Sequence, residues 1–171
     1  MGGTVDYWAK TALGCRVATT QTGVDMIAAL EQAIEQVEVL LGRPLLADCA
    51  DVDTGEVEPL VIVTDNGPAM RSIAVARWFN ARPHLKHVRT RHKAPETNGV
   101  IERWFESLKY ERLYRHDIDD GLILGEHVAD FLDQFNRLRP HEAIGWQRPL
   151  DRYLQTPEPS NPTDPEPEQE S

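Results

Sequence analysis

The five residues Leu60-Val61-Ile62-Val63-Thr64, stopped at once by Asp65-Asn66-Gly67-Pro68, restrict the possible folds more than any other stretch. A continuous aliphatic run with no polar alternation predicts a strand covered on both faces. Such a strand is central in a sheet with helices outside it. The turn residues that follow put Asp65 just off the strand's carboxyl end, where open α/β sheets hold their ligands. The plainer role for Asp65 is that of a turn residue in Asp-Asn-Gly.

The flanking sequence supplies the helices and further strands of an α/β fold. Leu13, Cys15 and Val17 alternate with Gly14, Arg16 and Ala18, the period of a half-buried strand, paired through a turn near Ala9–Thr11 with Val5–Trp8. Ile27, Leu30, Ile34, Val37 and Leu41 recur at steps of three and four, which predicts a helix over 24–41. Thr22 and Asp25 make a capping box at its start, and Gly42 and Pro44 stop it. Residues 45–59 read as an acidic excursion turning at Asp53-Thr54-Gly55, without the pattern of a calcium loop. A helix is expected over 69–81 with Ile73, Ala76 and Phe79 inward, then a short strand His87–Thr90. A last helix, capped by Asp119 or Asp120, turns Val128, Phe131, Leu132 and Phe135 inward.

Between the last two of these lies a second stretch with chemical content, Asn98-Gly99-Val100-Ile101-Glu102-Arg103-Trp104-Phe105-Glu106-Ser107-Leu108-Lys109. At about 100° per residue, Ile101, Trp104, Phe105 and Leu108 form an apolar stripe, and the helix is expected to reach about Tyr114. Glu102 falls at the edge of that stripe, anchored by the core behind it yet reaching outward, as a catalytic or metal-binding acid must. The bland alternative is a surface helix with ordinary charges.

Charge distribution separates these readings. The net charge of −10 argues against a nucleic-acid partner, but residues 71–115 alone hold 11 basic and 4 acidic side chains. A basic segment inside an acidic protein is the usual footprint of phosphate backbones. It contains the exposed loop Arg91–Thr97 and the helix that carries Glu102. Two acids with 36 residues between them, Asp65 and Glu102, then suggest metal-assisted phosphodiester chemistry. In such chemistry carboxylates flank two divalent ions about 4 Å apart, and hard oxygens suit Mg²⁺. Cys15 and Cys49 have no metal-ligand spacing and suggest no disulfide framework, which fits a reducing compartment. No run is long enough to span a membrane and the N-terminus lacks the regions of a signal peptide.

Val63-Thr64-Asp65-Asn66-Gly67, followed by His92-Lys93-Ala94-Pro95-Glu96-Thr97-Asn98-Gly99-Val100-Ile101-Glu102-Arg103, resembles the integrase core of retroviral-type integrases and bacterial insertion-sequence transposases. Leu108-Lys109-Tyr110-Glu111 is similar to the segment after that group's catalytic Glu, and Phe135-Asn136-Arg137-Leu138-Arg139-Pro140-His141-Glu142-Ala143-Ile144 to its C-terminal signature. The resemblance covers roughly Val5 to Tyr153. It implies an RNase H-like mixed sheet flanked by helices. It also implies two Asp and one Glu that bind Mg²⁺ or Mn²⁺ and join donor 3′ ends to target DNA. Asp65 matches the second Asp and Glu102 the Glu, while Asn98 and Gly99 match the turn that opens the catalytic helix. Lys93, Asn98, Arg103, Lys109 and Arg112 are the candidate DNA contacts.

This sequence departs from the pattern at the first Asp. Asp6-Tyr7-Trp8-Ala9-Lys10 and Leu13-Gly14 are similar to the family's second-strand segment, which would put the first strand and its Asp upstream of Met1. The rival alignment takes Asp6 as the first catalytic Asp and third metal ligand. The first alignment fits the local motif better and predicts a core over residues 1–154, incomplete at its N-terminus, with an unpaired sheet edge. Residues 155–171, rich in Pro and Glu with no apolar anchor, are expected to be a disordered tail. The expected function is metal-dependent DNA strand transfer in the bacterial cytoplasm, on transposon ends and target DNA at the nucleoid. The expected partners are further copies of the chain or a full-length transposase. The alternatives are a catalytically silent DNA-binding or transposase-interacting remnant and a nuclease of the same fold.

Overall fold

The computed structural model describes residues 1–90 and 95–154, with side chains described outside 95–98. Its strands are β1 (Gly2–Val5), β2 (Ala12–Arg16), β3 (Leu60–Thr64) and β4 (Leu85–Arg89). Its helices are α1 (Gly23–Leu41), α2 (Leu45–Cys49), α3 (Ile73–Asn80), α4 (Pro95–Ser107), α5 (Gly121–Arg137) and α6 (Pro149–Leu154). The long helix α1 starts at the predicted capping box: the Thr22 side chain accepts from Asp25 N–H and Asp25 accepts from Thr22 N–H. Gly42 closes it at φ +69°, a left-handed conformation that favours glycine. None of the described helices is long and apolar enough to cross a membrane.

The strands form two separate two-stranded ladders, β1–β2 antiparallel and β3–β4 parallel. Neither β1 nor β3 pairs with any further strand among the described residues, so each has one free edge. Leu13 of β2 and Ile62 of β3 nevertheless pack on the same cluster, built from Leu30 and Val37 of α1, Val75, Trp78 and Phe79 of α3, and Leu85. A second cluster joins Ala12 and Cys15 of β2 to Trp104, Leu108, Val128, Phe131 and Phe135. The helices thus form two layers, with β2 between them.

That arrangement reverses two expectations about burial. β2, read as half-buried, contributes to both clusters. β3, read as covered on both faces, leaves Leu60, Val61 and Val63 46%, 51% and 43% exposed. The apolar run does form a strand, but a strand's burial depends on neighbours that its own sequence does not specify.

Smaller corrections follow the same logic. Ile73, expected inward, is 72% exposed and Ala76 is exposed; Val75, Trp78 and Phe79 are the buried face of α3. Part of the acidic excursion forms the short helix α2, and its turn is built by the Asp51 carboxylate accepting from Asp53 and Thr54 N–H. α4 begins at Pro95, so Asn98 and Gly99 lie inside the helix rather than in an opening turn. Proline is well suited to a first helical position, where no intrahelical N–H is needed. The helix path continues as a π-turn over Leu108–Arg112 and a 3₁₀ turn over Leu113–Arg115, ending where periodicity predicted. α5 is capped by Asp120 as expected, with Val128, Phe131 and Phe135 buried. Lys93 and the tail from residue 155 lie outside the described residues, as does the side chain of Asn98.

Candidate DNA-processing site

The orientation of α4 is set from behind. Trp104 and Leu108 are 2% and 0% exposed. The indole makes edge contacts with Phe105, Phe131 and Phe135 at centroid distances of 5.2, 6.0 and 6.2 Å. Glu102, two residues before Trp104, is roughly 200° away around the helix and therefore exposed. Its carboxylate lines a cavity of about 420 Å³ with Met1, Gln21, Phe105, Glu106 and Lys109. Among the described residues, neither the two glutamates nor Lys109 forms an ion pair. The half-buried Lys109 thus puts a cation at the mouth of an acidic wall.

Asp65 is held by its own turn. Its carboxylate accepts from Gly67 N–H at 2.9 Å. A Cβ on Gly67 would lie 3.0 Å from Asp65 Oδ1, which accounts for the glycine in Asp-Asn-Gly. Behind it, the Thr64 hydroxyl lies 2.8 Å from His87 Nε2, tying β3 to β4, and the His87 ring stacks on Phe79 at 4.3 Å. Burial lowers the His87 pKa, which favours a neutral ring in that contact.

Asp6 sits in the β1–β2 turn. Its carboxylate accepts from Ala9 N–H at 2.5 Å, while its N–H donates to the Thr11 carbonyl. Burial raises its pKa. Met1 lines the Glu102 cavity, and the four residues of β1, roughly 13 Å of strand, run from there to Asp6. The Asp6 carboxylate is thus engaged by its turn rather than by that cavity.

Of the expected phosphate contacts, Arg103 is exposed and Lys109 faces the cavity. Arg112 requires a correction: its Nε donates to His127 Nδ1 at 3.0 Å and its Nη2 pairs with Asp130 at 2.8 Å. It fastens the π-turn to α5. Charge runs do not reveal which cations are already paired. The C-terminal signature works in the same structural way: Arg139 pairs with Glu111 at 2.6 Å, and the His141 ring lies 4.4 Å from Phe135.

The two acids suit a hard divalent ion in kind, since carboxylate oxygens are its preferred donors. They fall short in number. No group of three His, Cys, Asp or Glu close enough to hold a metal occurs among the described residues. No hydrogen bond there joins Asp65 to Glu102. As folded, the described residues do not make a two-ion centre.

Two two-stranded ladders packed with helices, an acid off a strand end and another on a core-anchored helix make a mixed α/β arrangement of the RNase H-like kind. Residues 83–149 match the integrase core domain family, a stretch that includes the whole Glu102 helix and the Arg139-Pro140-His141 signature. The chain is 29% identical over 148 residues to the transposase InsD of insertion element IS2A/D/F/H/I/K from Escherichia coli, covering 86% of this chain and 42% of that protein. It spans between 42% and 58% of the length of that relative and of the similar IS2E protein. In structure it is similar to the HTLV-2 integrase catalytic core domain in complex with magnesium, with a TM-score of 0.59, 24% identity and coverage of 86% and 79% of the two chains. The simian T-cell lymphotropic virus intasome superposes with a TM-score of 0.66 at 20% identity, over 99% of this chain and 52% of that one. These matches support a likeness to the integrase core of insertion-sequence transposases.

Proposed function

We propose that this chain acts in DNA transposition as the catalytic-core portion of a transposase, with Asp65 and Glu102 as two of its metal-binding carboxylates. The observation that carries this reading is the Glu102 helix. It lies within the integrase core match, is locked by Trp104 and Leu108, and presents its acid to a cavity beside Lys109. Mg²⁺ or Mn²⁺, when bound, would activate the attacking hydroxyl and stabilise the leaving oxygen of a strand-transfer reaction. The chain's own part is to hold Glu102 outward, keep Asp65 at the end of β3, and meet DNA phosphates with Lys109 and Arg103, joined by Lys93 and Asn98.

A third carboxylate would come from outside the described residues. The magnesium-bound structure of a similar core supports the choice of ion. The partners in this reading are transposon ends and target DNA in the bacterial cytoplasm, with further copies of the chain or a longer transposase completing the assembly. The 1–154 core and the 155–171 tail are its domain division.

The test is strand transfer with Mg²⁺ on a transposon-end duplex, using this chain and a version with an acidic strand added upstream. Joining by the extended chain that is lost in Glu102→Gln supports the reading. Activity of the short chain that disappears in Asp6→Ala would assign Asp6 as the third acid instead. A second reading, a catalytically silent DNA-binding module, is favoured by the absence of any group of three potential metal ligands among the described residues. It predicts salt-dependent duplex binding and no joining by either version.

A further inference from the structure

A second cavity, of about 490 Å³, is lined by Trp8, Ala143, Ile144, Gly145, Gln147 and Arg152 and shares no lining residue with the Glu102 cavity. Two regions far apart in the chain build it: the β1–β2 turn on one side, and the turn over 141–147 with the adjoining α6 on the other. They are fastened together. Thr11 Oγ1 donates to the Pro149 carbonyl at 2.9 Å, and His141 N–H and Trp146 N–H close the second turn at 3.0 and 2.8 Å.

One wall stacks a cation on an aromatic plane. The Arg152 guanidinium lies 3.8 Å from the Trp8 ring centroid, and its buried Nε has no hydrogen-bond partner among the described residues. In the same β1–β2 turn as Trp8, Lys10 Nζ lies 4.2 Å from the Tyr7 ring centroid and donates to the Tyr7 carbonyl. Tyr7, Trp8 and Trp146 are 65%, 42% and 68% exposed, three of the five well-exposed aromatic side chains among the described residues. Lys10 and Trp146, at φ +62° and +63°, are the described non-glycine residues in left-handed conformation. Such strain gathers at functional sites. Arg103 stands near enough to Lys10 to oppose its charge. The region therefore combines stacking surfaces, an unsatisfied buried cationic donor and adjacent positive charges.

We propose that this cleft, together with the exposed Trp146 indole between its lining residues Gly145 and Gln147 in the chain, binds an unpaired nucleotide of a DNA strand, its base stacked on Trp146 and its phosphate held by Arg152 with Lys10 nearby. Aromatic faces accept any base, and cations beside them track the backbone, which is how single-stranded nucleic acid is held. Bases inside a duplex are already stacked on one another. The ligand is therefore a single strand, an overhang or an extruded nucleotide. The inference rests on the DNA-processing reading and adds a strand-state preference to it.

The experiment measures fluorescence anisotropy of labelled oligothymidine of about twelve nucleotides, of a blunt duplex, and of the same duplex with an unpaired overhang. Trp146→Ala, on a largely exposed side chain, and Arg152→Gln are compared with the parent chain, with thermal melts to check folding. The expected result is tighter binding of overhang than of blunt duplex, an advantage reduced about tenfold or more in each variant, with blunt-duplex affinity unchanged. Equal binding of overhang and blunt duplex, unaffected by either variant, overturns this inference and leaves duplex binding standing. Single-strand binding competed equally well by polyglutamate overturns it too, since the cleft would then be a general anion site. Overhang preference without strand transfer by any version supports the inference while the catalytic reading fails.

Discussion

Asn136 and Ala12, 124 residues apart in the chain, satisfy each other completely: Ala12 N–H donates to Asn136 Oδ1 at 2.9 Å, and Asn136 Nδ2 donates to the Ala12 carbonyl at 2.8 Å. Both residues are buried. The carboxamide of α5 behaves as one more strand residue at the start of β2, and so fixes the helix against the strand. Asn136→Ala would leave both backbone groups of Ala12 without partners in the interior, at about 1–3 kcal/mol for each unsatisfied group. Urea denaturation should show a midpoint drop of that size, and Asn136→Asp should not rescue it, because a carboxylate cannot donate to the Ala12 carbonyl.

Glu102 should separate chemistry from stability. Its side chain is exposed and free of ion pairs among the described residues, so Glu102→Gln should change folding stability by no more than about 0.5 kcal/mol. Strand transfer by a competent assembly should fall roughly 10³-fold or more, as expected when a ligand-binding acid is lost. Comparable activity in the variant would remove Glu102 from the metal-binding set.

The α1 cap gives a pH dependence with a defined sign. Hydrogen bonds from the hydroxyl of Thr20, then from the N–H and hydroxyl of Thr22, hold the Asp25 carboxyl down to about 2. A folded pKa below the unfolded one stabilises above the unfolded value. That stabilisation is lost as pH falls from 3.8 towards about 2. The melting temperature of the parent chain should exceed that of Asp25→Asn near neutral pH, and the gap should close across that acid window. A gap that persists to the lowest pH would show that the charged carboxylate is not what caps the helix. Asp6 contributes with the opposite sign, because burial raises its pKa. Its term weakens the fold as pH rises above its unfolded value.

The free edge of β3 should make the chain sticky. Val61 is 51% exposed on a strand with no partner on one side. Long, apolar, unpaired edges recruit other strands. Val61→Lys should cost no more than about 0.5 kcal/mol in folding and should lower self-association, measured by sedimentation velocity at several concentrations. Unchanged association would place the contact elsewhere on the surface.

Much of the fold was legible from local signals. The Thr22–Asp25 capping box, the Asp120 cap, the core positions of α5, and Trp104 with Leu108 all follow from short-range chemistry and helical period. Glu102 could be placed on an exposed edge for the same reason, since a helix turns by a fixed angle per residue. The cavity that joins Trp8 to Arg152 had no such signal, because its walls come from opposite ends of the chain.

By itself, then, the sequence determined the order and type of the main elements, their caps, the resemblance to an integrase core, and the two acids worth testing. These depend on interactions within a few residues or on matched motifs. Only the tertiary structure decided that β2 rather than β3 lies between the helix layers, that Arg112 is bound to Asp130, and that the described strands form two separate ladders. Those outcomes depend on which distant groups meet. A hydrogen bond such as Asn136 to Ala12 leaves no periodic trace in either segment that forms it.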